Sequence, residues 1–325
     1  AKPSEIIFTS CGSESDNMAI RGTAFAARQK TSANHLLISP IEHPAVLNTA
    51  NQLADLHGFD LSLLPVDKYG MVSPAEVKKN LREDTFLVSV MQANNEIGTI
   101  NPIAEIGDIC RERGILLHTD AVQSGAHFPL DVNSIKVDLL SLGAHKFYGP
   151  KGVGALFIRS GTELSPILTG GSQEFGLRAA TQNIPLIVGM AAAFELVQTE
   201  HNERTNHILP LRDHLIKQVL KIPSSQLTGH PEERQVNHAS FVFEGVDGNL
   251  LISILDGAGF ACSSGSACKT GDPEPSLVLT HLGYSTSWAL GSLRVTLGKD
   301  TTAEDIDSFL KILPGCIHQV RELKS

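Results

Sequence analysis

The chain predicts an α/β fold: a mostly parallel seven-stranded sheet whose last strand runs antiparallel, with a smaller C-terminal α/β domain. Three observations carry this. Short apolar runs alternate with amphipathic segments through the first half of the 325 residues, which implies crossover units and parallel strands. The last two runs are joined only by a Gly-Pro turn, too short for a crossover, so the final strand must reverse. From Ile184 the alternation loses its regularity, and a second domain is expected. The boundaries read from the sequence are 1–200 for the large domain and 201–325 for the small one.

Taken in order, the strands fall at 5–9, 35–39, 61–65, 86–91, 115–118, 137–142 and 153–158. Helices are expected between them at 15–28, 45–57, 74–80 and 103–113. Ser73 before Pro74 is an N-cap followed by proline at the first helical position. The longest apolar stretch, 184–197, contains Pro185 and Glu195 and reads as a buried helix, with helix continuing to about Lys221. In the second domain a strand at 239–243, a helix at 249–258, a strand at 293–297 and a closing helix from Thr302 are expected. Pro223-Ser-Ser and Gly229-His-Pro read as loops.

Composition narrows the function. Hydrophobic residues make up 42% of the chain, ordinary for a globular protein. A net charge of −9 argues against nucleic acid or an anionic membrane as the main partner. No run is long enough to span a bilayer, and no signal peptide is read. Five cysteines, with no Cys-x-x-Cys pair, fit free thiols in a reducing compartment, the cytoplasm or an organelle with a reducing interior. The chain opens at Ala1 just before a strand, so the natural protein is expected to begin earlier. No metal site is read.

The candidate chemistry sits at strand ends, where open α/β sheets bind ligands. Lys146 follows the sixth strand and is held by Gly149, Pro150 and Gly152, which suits a lysine that bonds to a cofactor aldehyde. A free lysine titrates near ~10.4, so imine chemistry needs a site that tunes it. Gly12 and Ser13 open a helix whose N–H groups suit a phosphate. Asp120 closes the fifth strand, and a buried carboxylate there needs a cation such as a protonated pyridine nitrogen. Gln123 is placed to donate to a ring oxygen. His43 follows the second strand, where its imidazole suits stacking and proton transfer. Asn95 follows the fourth strand and suits a phenolic oxygen and a substrate carboxylate. In the second domain, 261–275 is small, polar and broken by glycine and proline, and Cys268 lies in it. Only about 3% of an ordinary thiol is ionised at pH 7, so a nucleophilic Cys268 draws on that fraction, on Lys269 or on a base. Cys262 reads as structural. Arg294 is a candidate fork for a carboxylate. Each has a plainer reading alone: Lys146 as an exposed turn lysine, Gly12 and Ser13 as an ordinary helix start, Asp120 and His43 as caps, Asn95 as a turn residue, Cys268 as an incidental loop thiol, Arg294 as half of an ion pair. The joint pattern is what departs from them.

Together the motifs resemble the NifS-like and IscS-like cysteine desulfurases, pyridoxal-phosphate enzymes of the class V aminotransferase family and fold type I. The matching runs are Phe8-Thr-Ser-Cys-Gly-Ser-Glu-Ser-Asp-Asn17, Glu42-His-Pro-Ala-Val46, Asn94-Asn-Glu-Ile-Gly98, His118-Thr-Asp-Ala-Val-Gln123, Ala144-His-Lys-Phe-Tyr-Gly-Pro-Lys-Gly152 and Ser263-Ser-Gly-Ser-Ala-Cys268, in family order over nearly the whole chain. The resemblance implies an enzyme that converts L-cysteine to L-alanine with pyridoxal 5'-phosphate. Its sulfur is held as a persulfide on Cys268 and passed to an acceptor scaffold for iron–sulfur cluster assembly. It implies Lys146 bonded to the cofactor aldehyde, Asp120 on the pyridine nitrogen, and Gln123 and Asn95 near the ring hydroxyl. His43 is implied to stack on the ring, and Gly12, Ser13 and His145 to meet the phosphate. Thr181 is implied to reach the phosphate of a neighbouring subunit in an obligate homodimer, and Arg294 to hold the substrate carboxylate. Selenocysteine lyase is the enzymatic alternative, though the Cys268 loop resembles the desulfurase form; a catalytically reduced sulfur-relay or scaffold protein is the alternative of another class. Three features depart from the family pattern. Gly143 stands where a phosphate-binding serine is common, Ala179-Ala180-Thr181 replaces a Gly-Thr ending, and the family's N-terminal segment, with its Asn-Ala-Thr-Thr-like stretch, is not in the sequence.

Overall fold

A computed structural model describes residues 1–265 and 274–324. The chain divides into two compact units. The first comprises Ala1–Pro65, Val72–Ala93 and Asn101–His201; the second comprises Val66–Met71, Asn94–Ile100 and Asn202–Ser325.

The first unit holds β1 (Ile6–Thr9), α1 (Gly12–Lys30), β2 (His35–Ile38), α2 (Pro44–His57), β3 (Asp60–Leu63), α3 (Pro74–Asn80), β4 (Thr85–Ser89), α4 (Ile103–Arg113), β5 (Leu116–Asp120), β6 (Leu139–Gly143), β7 (Gly154–Ile158) and α5 (Ile184–Thr199). The strands form one seven-stranded sheet in the order β1-β7-β6-β5-β4-β2-β3. The β2–β3, β2–β4, β4–β5 and β5–β6 pairs are parallel. β7 is antiparallel to both β6 and β1, as the short Gly-Pro connection requires. It lies one place in from the edge, where β1 covers it. β2, β4 and β7 are buried along their whole length, the pattern of strands covered on both faces. Met18, Ile20 and Ala24 of α1 pack with Leu36, Leu87 and Leu156 from three strands.

The second unit holds α6 (His201–Val219), β8 (Ser225–Leu227), β9 (His238–Phe243), α7 (Gly248–Gly257), α8 (Leu277–His281), α9 (Thr286–Ala289), β10 (Ser292–Thr296) and α10 (Ala303–Lys324), with α6 starting at the boundary. Its sheet is β10-β9-β8, antiparallel throughout. Phe241, Phe243, Leu251, Leu293 and Leu313 make its core.

Three expectations need correction. Ser225, read as part of a loop, opens β8, a strand of three residues too short for a periodic signal. Gln123, three residues beyond Asp120 and so one turn on if the segment were helical, leads instead into a three-residue 3-10 segment, Ser124–Ala126. The apolar helix expected to be buried is only half covered. Met190 and Val197 point inward, whereas Ile184, Val188 and Leu196 are 59%, 61% and 53% exposed. The segment is apolar on all sides, and this chain supplies a neighbour for one side of it.

Candidate active site

Four loops of the first unit bring the candidate groups to the carboxyl ends of the parallel strands. α1 starts at Gly12, and its N-cap Cys11 supplies no side-chain hydrogen bond to the helix start. Helix N–H groups left without a side-chain cap suit an anion. Gly12 is required by packing, because a Cβ there would lie 2.6 Å from Val122 Cγ2. Gly143 faces the same corner: a Cβ added to it would lie 3.4 Å from Gly12 N and 3.6 Å from His145 Cε1. A side chain at 143 would therefore touch both the start of α1 and the His145 ring. Helix-start N–H groups beside an imidazole have the chemistry that suits a phosphate.

Glu14, in the first turn of α1, takes a two-point contact from Arg178: Nε donates to Oε1 at 2.8 Å and Nη2 to Oε2 at 3.2 Å. Burial would raise the Glu14 carboxyl, but hydrogen bonds from Arg178 and Ser10 hold it below the usual range. This pair ties the segment before Thr181 to the start of α1. Thr181 itself is exposed. Ala180, at the position where the pattern favours glycine, adopts φ 91°.

Asp120 ends β5 and is 5% exposed. Its Oδ1 accepts from Val122 N at 2.9 Å. Burial raises its carboxyl above the ordinary range, and the Val122 N–H, His43 and Lys146 pull it part of the way back. The His43 ring and the Lys146 charge expected beside Asp120 are thus within its electrostatic reach. A buried carboxyl in this condition is stabilised as an anion by a further cation, and a protonated pyridine nitrogen fits. His43 caps α2: its Nδ1 accepts from Ala45 N at 3.1 Å, with Pro44 at the first helical position. The capping role that the sequence left open is therefore real, and it places the proton of the neutral ring on Nε2.

Lys146 ends a 3-10 turn, Ala144–Lys146, directly after β6 and is exposed. The Ala144 carbonyl accepts from Phe147 N at 3.0 Å and from Gly149 N at 2.9 Å, and Phe147 is fully buried. Tyr148 takes φ 65° and Gly152 φ 87° to complete the turn. The lysine is exposed on a backbone that is pinned on both sides. Burial first, then the Lys146 and Lys151 charges, lowers His145, which favours its neutral form.

The second unit contains Asn95 and Arg294. The sequence grouped Asn95 with the strand ends, but residues 94–100 belong to this unit. Arg294 Nη1 donates to the Asn95 carbonyl at 2.9 Å, and Nη2 donates to Ser263 Oγ at 3.1 Å. His238 Nε2 meets the same Asn95 carbonyl at 3.2 Å. Glu96 is raised by burial and drawn back by Ser276 and Arg294. Cys262 is a free thiol pushed up to about 11 by burial, as suits a structural cysteine. Cys268 lies outside the described residues. Among the described residues no group of His, Cys, Asp or Glu is placed to hold a metal ion, and no helix is long and apolar enough to cross a membrane.

Sequence reasoning passed over Asp16, Glu42 and His118, buried polar groups behind Asp120. A signal for Asp16 was present: it shares the 16, 19, 20, 23, 24 spacing of the buried face of α1.

The description "Aminotransferase class-V" fits residues 1–309. The chain belongs to the class V aminotransferase family. Within it, the chain is 49% identical over 323 residues to a Methanosarcina thermophila protein named cysteine desulfurase IscS, covering 99% of this chain and 79% of the relative. It is 47% identical to the protein of the same name from Dictyoglomus turgidum, with 99% and 82% covered. A solved NifS-like protein superposes with a TM-score of 0.90 at 37% identity, over 98% of this chain and 84% of that one. A structure described as SspA in complex with cysteine gives 0.79 at 35% identity, over 93% and 84%.

Proposed function

We propose that this chain is a cysteine desulfurase that uses pyridoxal 5'-phosphate, converts L-cysteine to L-alanine and holds the released sulfur on Cys268. The observation that carries the reading is the joint placement of His43 and Lys146 within reach of the buried carboxyl of Asp120, in a chain nearly half identical to proteins named for this activity.

Gly12, Ser13 and His145 are the groups proposed to hold the phosphate, Asp120 the ring nitrogen, Gln123 and Asn95 the ring hydroxyl. Lys146 bonds the aldehyde. When bound, pyridoxal phosphate supplies an aldehyde that exchanges amines and a ring that accepts negative charge from the substrate's α-carbon. Asp120 keeps the ring nitrogen protonated. With the cofactor bound, the Lys146 amine would take the α proton and His43 would move protons through Nε2. Arg294 orients the substrate carboxylate, and Asn95 lies against it. The Cys268 thiolate attacks the substrate sulfur. A new S–S bond would form as the C–S bond breaks with its electron pair left on the β-carbon; a proton added there, and one returned to the α-carbon, give alanine.

Residues 1–200 are proposed as the cofactor domain and 201–325 as the domain carrying the Cys268 loop. A homodimer is proposed, with Thr181 reaching the partner's phosphate. The open apolar side of α5, three residues beyond Thr181, supports it. The sulfur acceptor is proposed to be an iron–sulfur scaffold protein. Four described cysteines are free thiols, which supports a reducing compartment such as the cytoplasm.

The test is turnover. Purified protein with pyridoxal phosphate and L-cysteine is expected to release alanine and to gain one sulfur atom on Cys268 by mass spectrometry. Cys268→Ser is expected to lose sulfur transfer. Undiminished transfer by that variant, or no alanine from the unsubstituted protein, sinks the reading.

A further inference from the structure

Behind Asp120 stands a second buried carboxyl. Asp16 lies on α1, one turn past Gly12, and is 1% exposed. Its Oδ1 accepts no hydrogen bond among the described residues. His118 Nε2 is 3.7 Å from that oxygen, but this nitrogen is engaged with Ser141 Oγ at 3.0 Å, and His118 Nδ1 with Ser89 Oγ at 2.8 Å. His118 is fully buried, and burial pushes its ring down to about 3, so it brings Asp16 no positive charge near neutrality. Ser141 stands near enough to draw the Asp16 carboxyl part of the way back down. The remaining ionisable groups facing Asp16 are Asp120 from β5, Glu42 from the loop after β2 and Cys11 from the loop before α1. None is a cation. Glu42 is itself 3% exposed, with Oε1 on Met91 N at 2.7 Å and Oε2 unpartnered among the described residues.

An ionised Asp16 here would be a desolvated anion with one bare oxygen, next to a second carboxylate that faces His43 and Lys146. Buried like charges are not both ionised when one proton relieves them. Burial, then the charge of Asp120, pushes Asp16 well above the carboxylate range. Among the described residues no cation faces Asp16, so the cost of ionisation falls on it and Asp120 keeps the charge.

We propose that Asp16 is a positioning residue that works as a neutral carboxylic acid, clamping the first turns of α1 to β5 and β6 through Ser141 and His118 and leaving Asp120 as the anion for the ring nitrogen. One donor order satisfies the His118 ring, Ser141 O–H to His118 Nε2 and His118 Nδ1–H to Ser89 Oγ, and it leaves Ser141 Oγ as the acceptor proposed for the Asp16 proton. It crosses from the helix that opens the phosphate corner to the strand that ends in Asp120. It therefore fixes the spacing of two sites meant for opposite ends of one cofactor. This inference rests on the reading of the site as a pyridoxal-phosphate cradle.

The test uses Asp16→Leu and Asp16→Asn in the full chain, with pyridoxal phosphate as probe. In cofactor-free protein near pH 7, the infrared carbonyl band of protonated carboxyl groups is expected to lose intensity in Asp16→Asn. Asp16→Leu is expected to weaken pyridoxal-phosphate binding by about tenfold or more, and Asp16→Asn to restore it to within about threefold, because a neutral amide replaces a neutral acid. The pH midpoint of the bound cofactor's visible absorption should be the same in Asp16→Asn as in the unsubstituted protein. An unchanged infrared band, or a midpoint moved by about one pH unit as loss of a nearby charge would cause, overturns the proposal. If the unsubstituted protein fails to bind the probe, the cradle reading falls. The infrared arm, which needs no cofactor, still decides whether Asp16 carries the proton.

Discussion

Replacing Gly149 with alanine tests the turn that presents Lys146. A Cβ at this position would lie 2.9 Å from Ala144 Cβ and 2.9 Å from Ala144 O. Ala144 is buried, and its carbonyl takes two hydrogen bonds, from Phe147 N and Gly149 N. The added methyl meets backbone, not the end of a flexible side chain, so the turn must open. Overpacking costs about 1–3 kcal/mol, and one hydrogen bond weakened in a buried turn adds about 1 kcal/mol. The expected loss is about 2–4 kcal/mol of unfolding free energy. Urea denaturation followed by far-ultraviolet circular dichroism reads it as a lower midpoint at unchanged slope. Hydrogen exchange at the Phe147 and Gly149 amides should accelerate most. Gly315→Ala in α10 is the control: no heavy atom lies within 4 Å of its added Cβ, and a helical Gly→Ala change there should gain up to about 1 kcal/mol. A Gly149→Ala loss below about 0.5 kcal/mol, the size of an ordinary surface change, would refute the claim that this turn is closely packed around Ala144.

Three further outcomes follow from single contacts. Ala180 sits at φ 91°, so Ala180→Gly should raise stability by about 1 kcal/mol in the same titration. Glu5 accepts hydrogen bonds from Lys2 N at 2.7 Å and from Ser160 N and Oγ at 2.9 and 2.7 Å, which lower its carboxyl to about 2. A folded-state value below the unfolded one gives stability that is present above about 4.5 and is lost as pH falls towards about 2. Glu5→Gln should flatten that part of the stability–pH curve. Val188 lies on the open apolar side of α5, so the protein should sediment as a dimer and Val188→Asp should shift it towards monomer.

The frame of the first unit was legible because its strands are short apolar runs between clear punctuation. Ser73-Pro74 and the Gly-Pro turn each set one local geometry, and the helix 74–80 and the reversal of β7 follow from them. β8, α8 and α9 were not legible, since three to five residues give too few positions for a period to show. Residues 94–100 show a different limit. Their sequence places them after a strand end, but which unit they pack with depends on partners such as Arg294 and His238, some 140 to 200 residues away. The positions of Asp120 and Lys146 at strand ends could be read from the apolar runs that precede them, and strand ends carry ligands in this fold class. Asp16 was harder: the α1 period marks its face, but that no described cation stands beside it is a property of the assembled sheet. Ile184, Val188 and Leu196 misled because an apolar residue reports that it needs cover, not which chain supplies it.

The most direct measurement is reductive trapping. Full-length protein incubated with pyridoxal phosphate, reduced with borohydride and digested should yield one peptide carrying the phosphopyridoxyl mass, with the tag on Lys146. Tagging at Lys151 or another lysine, or no stable tag, contradicts the account.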